Sequence, residues 1–167
     1  MSQSCAAGRP PPTVPAVTLR HRPLASRFPA RLREARERSG LTQAQLGQQV
    51  GYGDRQGLGA VERGDRGCTT ELCCRLSAAL GVSPCWLAYG LEIDGGSWEG
   101  YGARLRELRT AEGLSVRAGA ARLGYAAAGG LQALEAERSR LDLDQAEMIA
   151  RAYQAPPAWL AFGIGER

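Results

Sequence analysis

One long segment occurs twice in this chain, and this repeat constrains the fold more than any other feature. The run FPARLREARERSGL from Phe28 corresponds to YGARLRELRTAEGL from Tyr101. The same alignment pairs CWLAYG with AWLAFG without a gap. Across 28–90 and 101–163, 20 of 63 positions are identical. A repeat of this length predicts two copies of one structural unit.

The apolar residues of each copy follow the period of an α-helix. In the first copy, three of them fall on one helix face: Phe28, Leu32 and Ala35. Gly40 is expected to end this helix. Thr42 then begins a second helix, and Gln45 three positions later completes a capping box. The pattern therefore predicts short helices separated by tight turns.

Three further helices complete the prediction for each copy. In the first copy they are DRQGLGAVER with Gly64 as its stop, a helix after Thr69 or Thr70, and one that starts at Ser83 with proline in its first turn. No stretch has the alternation of a β-strand. The predicted fold class is all-α, with two tandem five-helix domains.

Composition and charge divide the chain into four segments. These are a disordered, basic, Pro-rich arm (1–27), a first domain (28–93), a linker with a Gly-Gly pair (94–100) and a second domain (101–167). The arm has four arginines and no acid, which suits contact with phosphates, although a solvated tail without a partner is the alternative. The rest of the chain has 17 arginines and 17 acids.

The run LTQAQLGQQVGYGDRQGLGAVERG (41–64), followed by LSAALGVSPCWLAYG (76–90), resembles the DNA-binding domain of phage-lambda-repressor-like, Cro/XRE-type regulators. The resemblance covers 28–90 well and 101–163 more loosely. Its most specific parts are the Leu-Thr-Gln start, the Val-Glu-Arg-Gly end and the LGVSPxWL run. It implies helix-turn-helix domains whose third helix enters the major groove of DNA.

The resemblance also implies which side chains contact DNA. Arg55 and Gln56 are the candidates for bases, because arginine can pair with guanine and glutamine with adenine through two hydrogen bonds. Their alternative is an ordinary solvated helix face. The full set of implied DNA-binding residues is Thr42, Gln43, Arg55, Gln56, Gly59, Arg63 and Arg66. Of these, Gln43 would bind phosphate and support the third helix, while Arg63 and Arg66 suit phosphates better than bases.

Two residue pairs are expected to hold the scaffold together. Arg36 and Glu62 match positions that form a partly buried ion pair in the family that the chain resembles. The second copy keeps the same pair as Arg109 and Glu135. We interpret both as structural ion pairs that tie the first helix of each copy to the third.

The second copy lacks the side chains that could read bases. Asp54, Arg55 and Gln56 correspond to Ala127, Ala128 and Gly129, and Gln43 corresponds to Val116. We hypothesise that the first copy reads DNA and that the second is a degenerate copy. It would serve dimerisation or loose backbone contact through two arginines, Arg117 and Arg122.

Two glycines in the third helix of the first copy are unusual, since each costs about 1 kcal/mol relative to alanine. Gly57 and Gly59 would bring the backbone close to DNA. The alternative is that composition bias placed them there. The sequence does not separate these two interpretations.

Other functional classes find little support. Cys68, Cys73 and Cys85 are expected in the core and Cys74 nearer the surface, with a zinc site or a thiol switch as minor alternatives. A hydrolytic triad is hard to build, because the single histidine, His21, lies in the arm. No cofactor, small-molecule ligand or enzyme activity is expected. Without an apolar run that could cross a membrane or act as a signal peptide, the expected location is the cytoplasm.

The function predicted from these observations is sequence-specific binding of double-stranded DNA by a repressor-like regulator. A homodimer and an intramolecular pseudo-dimer both remain open. The alternative function is a protein-binding adaptor or antitoxin module on the same fold, since residues 28–100 contain eight arginines and nine acids and a basic face is expected of a DNA-binding protein.

Overall fold

A computed structural model describes residues 23–52 and 55–166; for Arg55 and Gln56 it describes the backbone alone. The prediction of an all-α fold is confirmed, because these ranges contain no strand, only one 3-10 helix and ten α-helices. The α-helices are α1 (Phe28–Arg38), α2 (Gln43–Gln49), α3 (Arg55–Arg63), α4 (Thr70–Leu80), α5 (Pro84–Tyr89), α6 (Tyr101–Ala111), α7 (Val116–Arg122), α8 (Ala128–Glu135), α9 (Leu143–Ala152) and α10 (Pro157–Phe162).

The helices form two sets of five with the same spacing. When Phe28 is aligned with Tyr101, both ends of α1, α2 and α5 coincide with those of α6, α7 and α10. In the same alignment, α3 and α4 begin together with α8 and α9 and end one position later. The alignment of the sequence repeat is therefore also the alignment of the helix bounds.

Local signals set the helix ends where the sequence predicts them. The Oγ1 atom of Thr42 accepts a hydrogen bond from the backbone N–H of Gln45 (3.2 Å), and the Gln45 side chain accepts one from the N–H of Thr42 (2.8 Å). The side chains of Thr69 and Ser83 accept hydrogen bonds from backbone N–H groups in the first turns of α4 and α5, without the reciprocal bond. Gly64 follows α3 with a φ of +78°, a conformation that glycine adopts without strain.

The prediction that residues 1–27 form a disordered arm is wrong for the last residues of this segment. Leu24–Arg27 form a 3-10 helix rather than a disordered segment. The backbone N–H groups of Leu24 and Ala25 donate hydrogen bonds to the buried carboxylate of Glu147 on α9, at 3.0 and 2.9 Å. These bonds satisfy N–H groups at the start of the helix that would otherwise need water. The rest of the arm, 1–22, lies outside the described residues.

One arginine in each half fastens the first helix to the last. Arg31 on α1 donates hydrogen bonds to the carbonyls of Leu87 and Ala88 in α5. Arg104, at the equivalent position on α6, donates to the corresponding carbonyls, those of Leu160 and Ala161. Burial lowers the pKa of both guanidinium groups. These contacts satisfy C-terminal carbonyls that have no partner within the helix.

The two halves pack against each other through a shared core. Thr69 and Asp142 form an isolated antiparallel β-bridge, which links the segment before α4 to the segment before α9. The rings of Tyr89 and Phe162 lie with centroids 6.1 Å apart and an interplanar angle of 54°. Trp98 of the connecting segment is half-buried against the same core. The described chain is thus one packed body of two five-helix sets.

Candidate nucleic-acid interface

The helices α2 and α3 are held by apolar side chains on their inner faces. Leu46 and Val50 at α2, and Leu58 and Val61 on α3, are all at most 5% exposed. Burial of a leucine or valine contributes about 1.5–3 kcal/mol. Because α3 contains two glycines, its stability depends on this packing more than on helix propensity.

A polar network joins α1, α2 and α3 beside this apolar contact. The guanidinium of Arg36 donates to both carboxylate oxygens of Glu62, at 2.5 and 3.1 Å, and to the carbonyl of Leu41 at 2.9 Å. The Gln43 amide donates to the same carboxylate at 2.7 Å. Hydrogen bonding to Glu62 raises the pKa of Arg36. Gln43 therefore supports α3 directly in the free protein.

The second half repeats the ion pair and lacks the glutamine. Arg109 donates to both carboxylate oxygens of Glu135, at 2.6 and 2.9 Å, and both residues are buried. The hydrogen bond to Glu135 raises the pKa of Arg109. Val116 occupies the position of Gln43, so the link from α7 to this carboxylate is absent there.

Two arginines lie near the end of α3: Arg63 is its last residue and Arg66 follows three positions later. Arg63 donates a hydrogen bond to the carboxylate of Asp65 at 2.7 Å, and both side chains are more than 60% exposed. The guanidinium of Arg66 lies 5.4 Å from the centroid of the Tyr52 ring, a cation–π distance. Exposed pairs of this kind contribute little to stability. Both arginines are thus available to a partner.

Arg55 and Gln56, the predicted base contacts, occupy the first turn of α3 by their backbone. Their side chains lie outside the described part of the structure, as does the whole of Asp54.

The glycines of α3 lie against side chains of the protein. A Cβ atom on Gly57 would lie 2.4 Å from the Tyr52 ring, so glycine is what allows the ring to pack there. A Cβ on Gly59 would lie 3.3 Å from the Gln43 amide oxygen and 3.2 Å from the Arg63 guanidinium. The Tyr52 contact supplies a reason for Gly57 that neither interpretation of the sequence contained.

The outer surface of α8 is formed by residues with small and mostly apolar side chains. Gly129 and Gly130 are exposed there, as is Gln132. A Cβ on Gly129 would meet nothing within 4 Å, so this glycine has no packing role. Within this surface Gln132 has the side chain that could hydrogen bond to a base.

The cysteines lie where the sequence predicts. Cys68, Cys73 and Cys85 are at most 5% exposed, and Cys74 is half-buried. Burial raises the pKa of the Cys85 thiol to about 11 and raises the pKa values of Cys68 and Cys73 well above the ordinary range. Among the described residues, no group of three or more His, Cys, Asp or Glu residues could hold a metal ion.

We expect the three buried thiols to be unreactive in the native protein. In a Cys5→Ser background, which removes the cysteine outside the described ranges, a disulfide reagent at pH 8 should modify Cys74 alone. Burial raises the pKa of all four thiols, so exposure decides: the reagent can reach half-buried Cys74 and is blocked from the three buried thiols. The count of modified thiols by mass spectrometry checks this, with urea-unfolded protein as the control. Rapid native modification of Cys73 or Cys85 would contradict the packing.

Residues 27–88 match the family model of a helix-turn-helix domain. The match contains α1, α2, α3 and α4 and nearly all of α5, and it ends before α6. No curated protein matches the chain, and no solved structure matches it. Over these residues the chain is thus similar to helix-turn-helix domains, a class of domain in which the second helix of the motif lies in the major groove of DNA.

The described helices are also too short or too polar to cross a membrane.

Three contacts that bear on the site were not predicted from the sequence. The Tyr52 ring packs against Gly57 and against the Arg66 guanidinium, and the Glu147 carboxylate binds the 3-10 helix. The identity of Tyr52 and Tyr125 in the repeat was the available signal for the first two. No sequence signal pointed to Glu147, whose partners lie in a distant part of the chain.

Proposed function

We propose that this protein is a sequence-specific DNA-binding regulator of transcription, repressor-like and of the Cro/XRE type, which reads the major groove with α3. The observation that carries the proposal is the helix-turn-helix match at 27–88. The arrangement of α2 and α3 supports it, because Arg36, Glu62 and Gln43 hold the two helices in a fixed relation. Rigid presentation of side chains favours specific binding.

Each predicted residue has a role in this proposal. Arg55 and Gln56, in the first turn of α3, contact bases. Gln43, Arg63 and Arg66 contact phosphates and orient the domain, with Thr42 at the start of α2 beside them. Gln43 can keep its hydrogen bond to Glu62 and offer its second amide N–H to a phosphate. Gly59, which lies beside Gln43 and Arg63, would let the backbone approach DNA.

We propose that α6–α10 form a second, degenerate helix-turn-helix domain. The repeated helix bounds and the repeated Arg–Glu pair support this interpretation. The surface of α8, with its glycines and alanines, offers little for reading bases. The cytoplasm, where bacterial or phage DNA is accessible, is the location that this function requires.

The double substitution Arg55→Ala/Gln56→Ala should abolish sequence preference. Each lost pair of hydrogen bonds to a base should reduce discrimination by about 1–3 kcal/mol. Selection from a random DNA pool at fixed salt, for the wild type and the double variant, measures this. Gln132→Ala on α8 is the matched control and should leave the selected site unchanged. An unaltered site in the double variant would show that α3 is not the reader.

Near-neutral charge in each half favours one alternative, a module that binds protein through an apolar contact. Salt separates the two functions. Affinity for DNA should fall steeply as salt rises, because bound phosphates release counterions. If no DNA sequence is enriched and any bound partner is insensitive to salt, the adaptor or antitoxin function replaces the regulator.

A further inference from the structure

The contacts between the two halves join residues at equivalent positions of the repeat. Thr69 pairs with Asp142, and Tyr89 lies against Phe162. The hydrogen bonds beside the bridge are also reciprocal. The N–H of Thr70 donates to Leu141, and the N–H of Leu143 donates to Cys68, each at 2.9 Å. An isologous contact of this kind has the symmetry of a twofold axis.

The symmetry extends to the segments that precede each half. The backbone of Ala25 donates to Glu147 on α9. The backbone of its counterpart Trp98 is close enough to the Cys74 thiol on α4, at the position equivalent to Glu147, to oppose the rise of that thiol's pKa on burial. Each half therefore holds the start of the other at the same place.

A twofold axis determines how α3 and its equivalent in the second half, α8, are placed relative to a DNA duplex. Rotation about the axis leaves height along the axis unchanged, so α3 and α8 lie at the same level on opposite sides of it. Helix-turn-helix dimers present their two reading helices to one face of DNA through this symmetry. Here a single chain contains both helices, α3 and α8, and side chains that could read bases are predicted on α3.

Arginines of both halves lie in the connections that lead to the Thr69–Asp142 bridge. The α3–α4 connection contributes Arg66 and the α8–α9 connection contributes Arg138 and Arg140, all exposed. A cleft of about 320 Å³ lies between the two connections and is lined by both halves. Arg140 is 75% exposed and lies 3.6 Å from the carboxylate of Glu71 across the cleft. Phosphates at the centre of a site would meet these cations.

We infer that the chain binds DNA as one molecule on an asymmetric site. It reads one half-site through α3, and its second half supplies phosphate contacts near the axis through Arg138 and Arg140. The inference rests on the proposed function. A second chain is not needed in this arrangement, since α5 and α10 pack against each other within the chain and bring the two halves together.

The first test is the stoichiometry and the length of the bound DNA. After selection of the preferred site, the mass of the complex in solution should correspond to one chain per duplex. Removing about 10 bp, one helical turn, on the side of the second half should weaken binding, whereas an equal removal on the outer side should not. When this turn of DNA is present, changing its base sequence should not change the affinity. A palindrome bound by two chains, or equal effects of the two truncations, would overturn the inference and leave the proposed function intact.

The second test removes the cations of the second half. Arg138→Ala/Arg140→Ala should lower affinity for specific and random DNA by the same factor. It should also lessen the slope of log affinity against log salt by about one for each arginine. Arg33→Ala is a matched control, because Arg33 is also exposed and paired with a glutamate. An unchanged slope in the double variant would overturn the role of the second half. If the wild type binds no DNA, the proposed function itself fails.

Discussion

Replacing Glu135 with alanine is expected to lower the free energy of unfolding by about 3 kcal/mol. The substitution leaves the Arg109 guanidinium, only 9% exposed, without the carboxylate that accepts two of its hydrogen bonds. An unpaired buried charge is among the most destabilising changes in a protein. For a chain of this length the unfolding midpoint should fall by about 10 °C. Thermal and urea unfolding followed by circular dichroism measure both values.

Two variants test whether burial is the cause. Glu62→Ala breaks the equivalent pair and should be similarly costly, with the added loss of the Gln43 contact. Glu34→Ala removes the exposed partner of Arg38 and should leave the midpoint unchanged. A Glu135→Ala protein as stable as the Glu34→Ala protein would contradict a structural role for the buried pair. Should Glu135→Ala fail to fold, Glu135→Gln keeps part of the hydrogen bonding and permits the measurement.

Replacing Phe162 with alanine should cost about 4 kcal/mol and should destabilise both halves together. The side chain is 1% exposed and packs on Tyr89 of the first half, so its removal leaves a cavity between the halves. Urea unfolding followed by tryptophan fluorescence measures the effect. Trp86 reports on the first half and Trp159 on the second when each is kept in a variant without the other tryptophans.

The two tryptophan probes decide whether the halves act as one unit. Both midpoints should shift together in Phe162→Ala, because the shared core couples the two sets of helices. Phe162→Leu is the control and should cost less than about 1.5 kcal/mol, since most of the volume is kept. If the Trp86 transition stays in place while the Trp159 transition moves, the contact between the halves is too weak to act as a fixed interface.

Most of the first half could be predicted from short-range patterns. The cap at Thr42, the glycine after α3 and the proline at the start of α5 each act within one turn of helix, so the sequence displays them directly. The ion pairs Arg36–Glu62 and Arg109–Glu135 were accessible because the family resemblance implies the first and the repeat supplies the second. The family match at 27–88 bears out the helix-turn-helix character of this half.

The candidate site was accessible only in part. The family resemblance and side-chain chemistry favour Arg55 and Gln56 as base contacts, and this remains a prediction. The packing of Tyr52 over Gly57 was not predicted, because a glycine within a helix does not by itself indicate whether DNA or an aromatic ring lies against it. The repetition of Tyr52 as Tyr125 was a signal, but it did not identify the partner of the ring. No pattern marked Arg138 and Arg140 as part of a site, since a charged residue between two helices is usually solvated.

Periodicity and capping are local properties of the chain, so the all-helical class, the number of α-helices and most of their ends follow from the sequence alone. The way in which the two sets of helices meet depends instead on tertiary contacts. The Thr69–Asp142 bridge joins residues from opposite halves of the chain, as do the hydrogen bonds from the 3-10 helix to the Glu147 carboxylate. Such contacts join residues far apart in the chain and depend on how the two surfaces fit, so no local pattern encodes them.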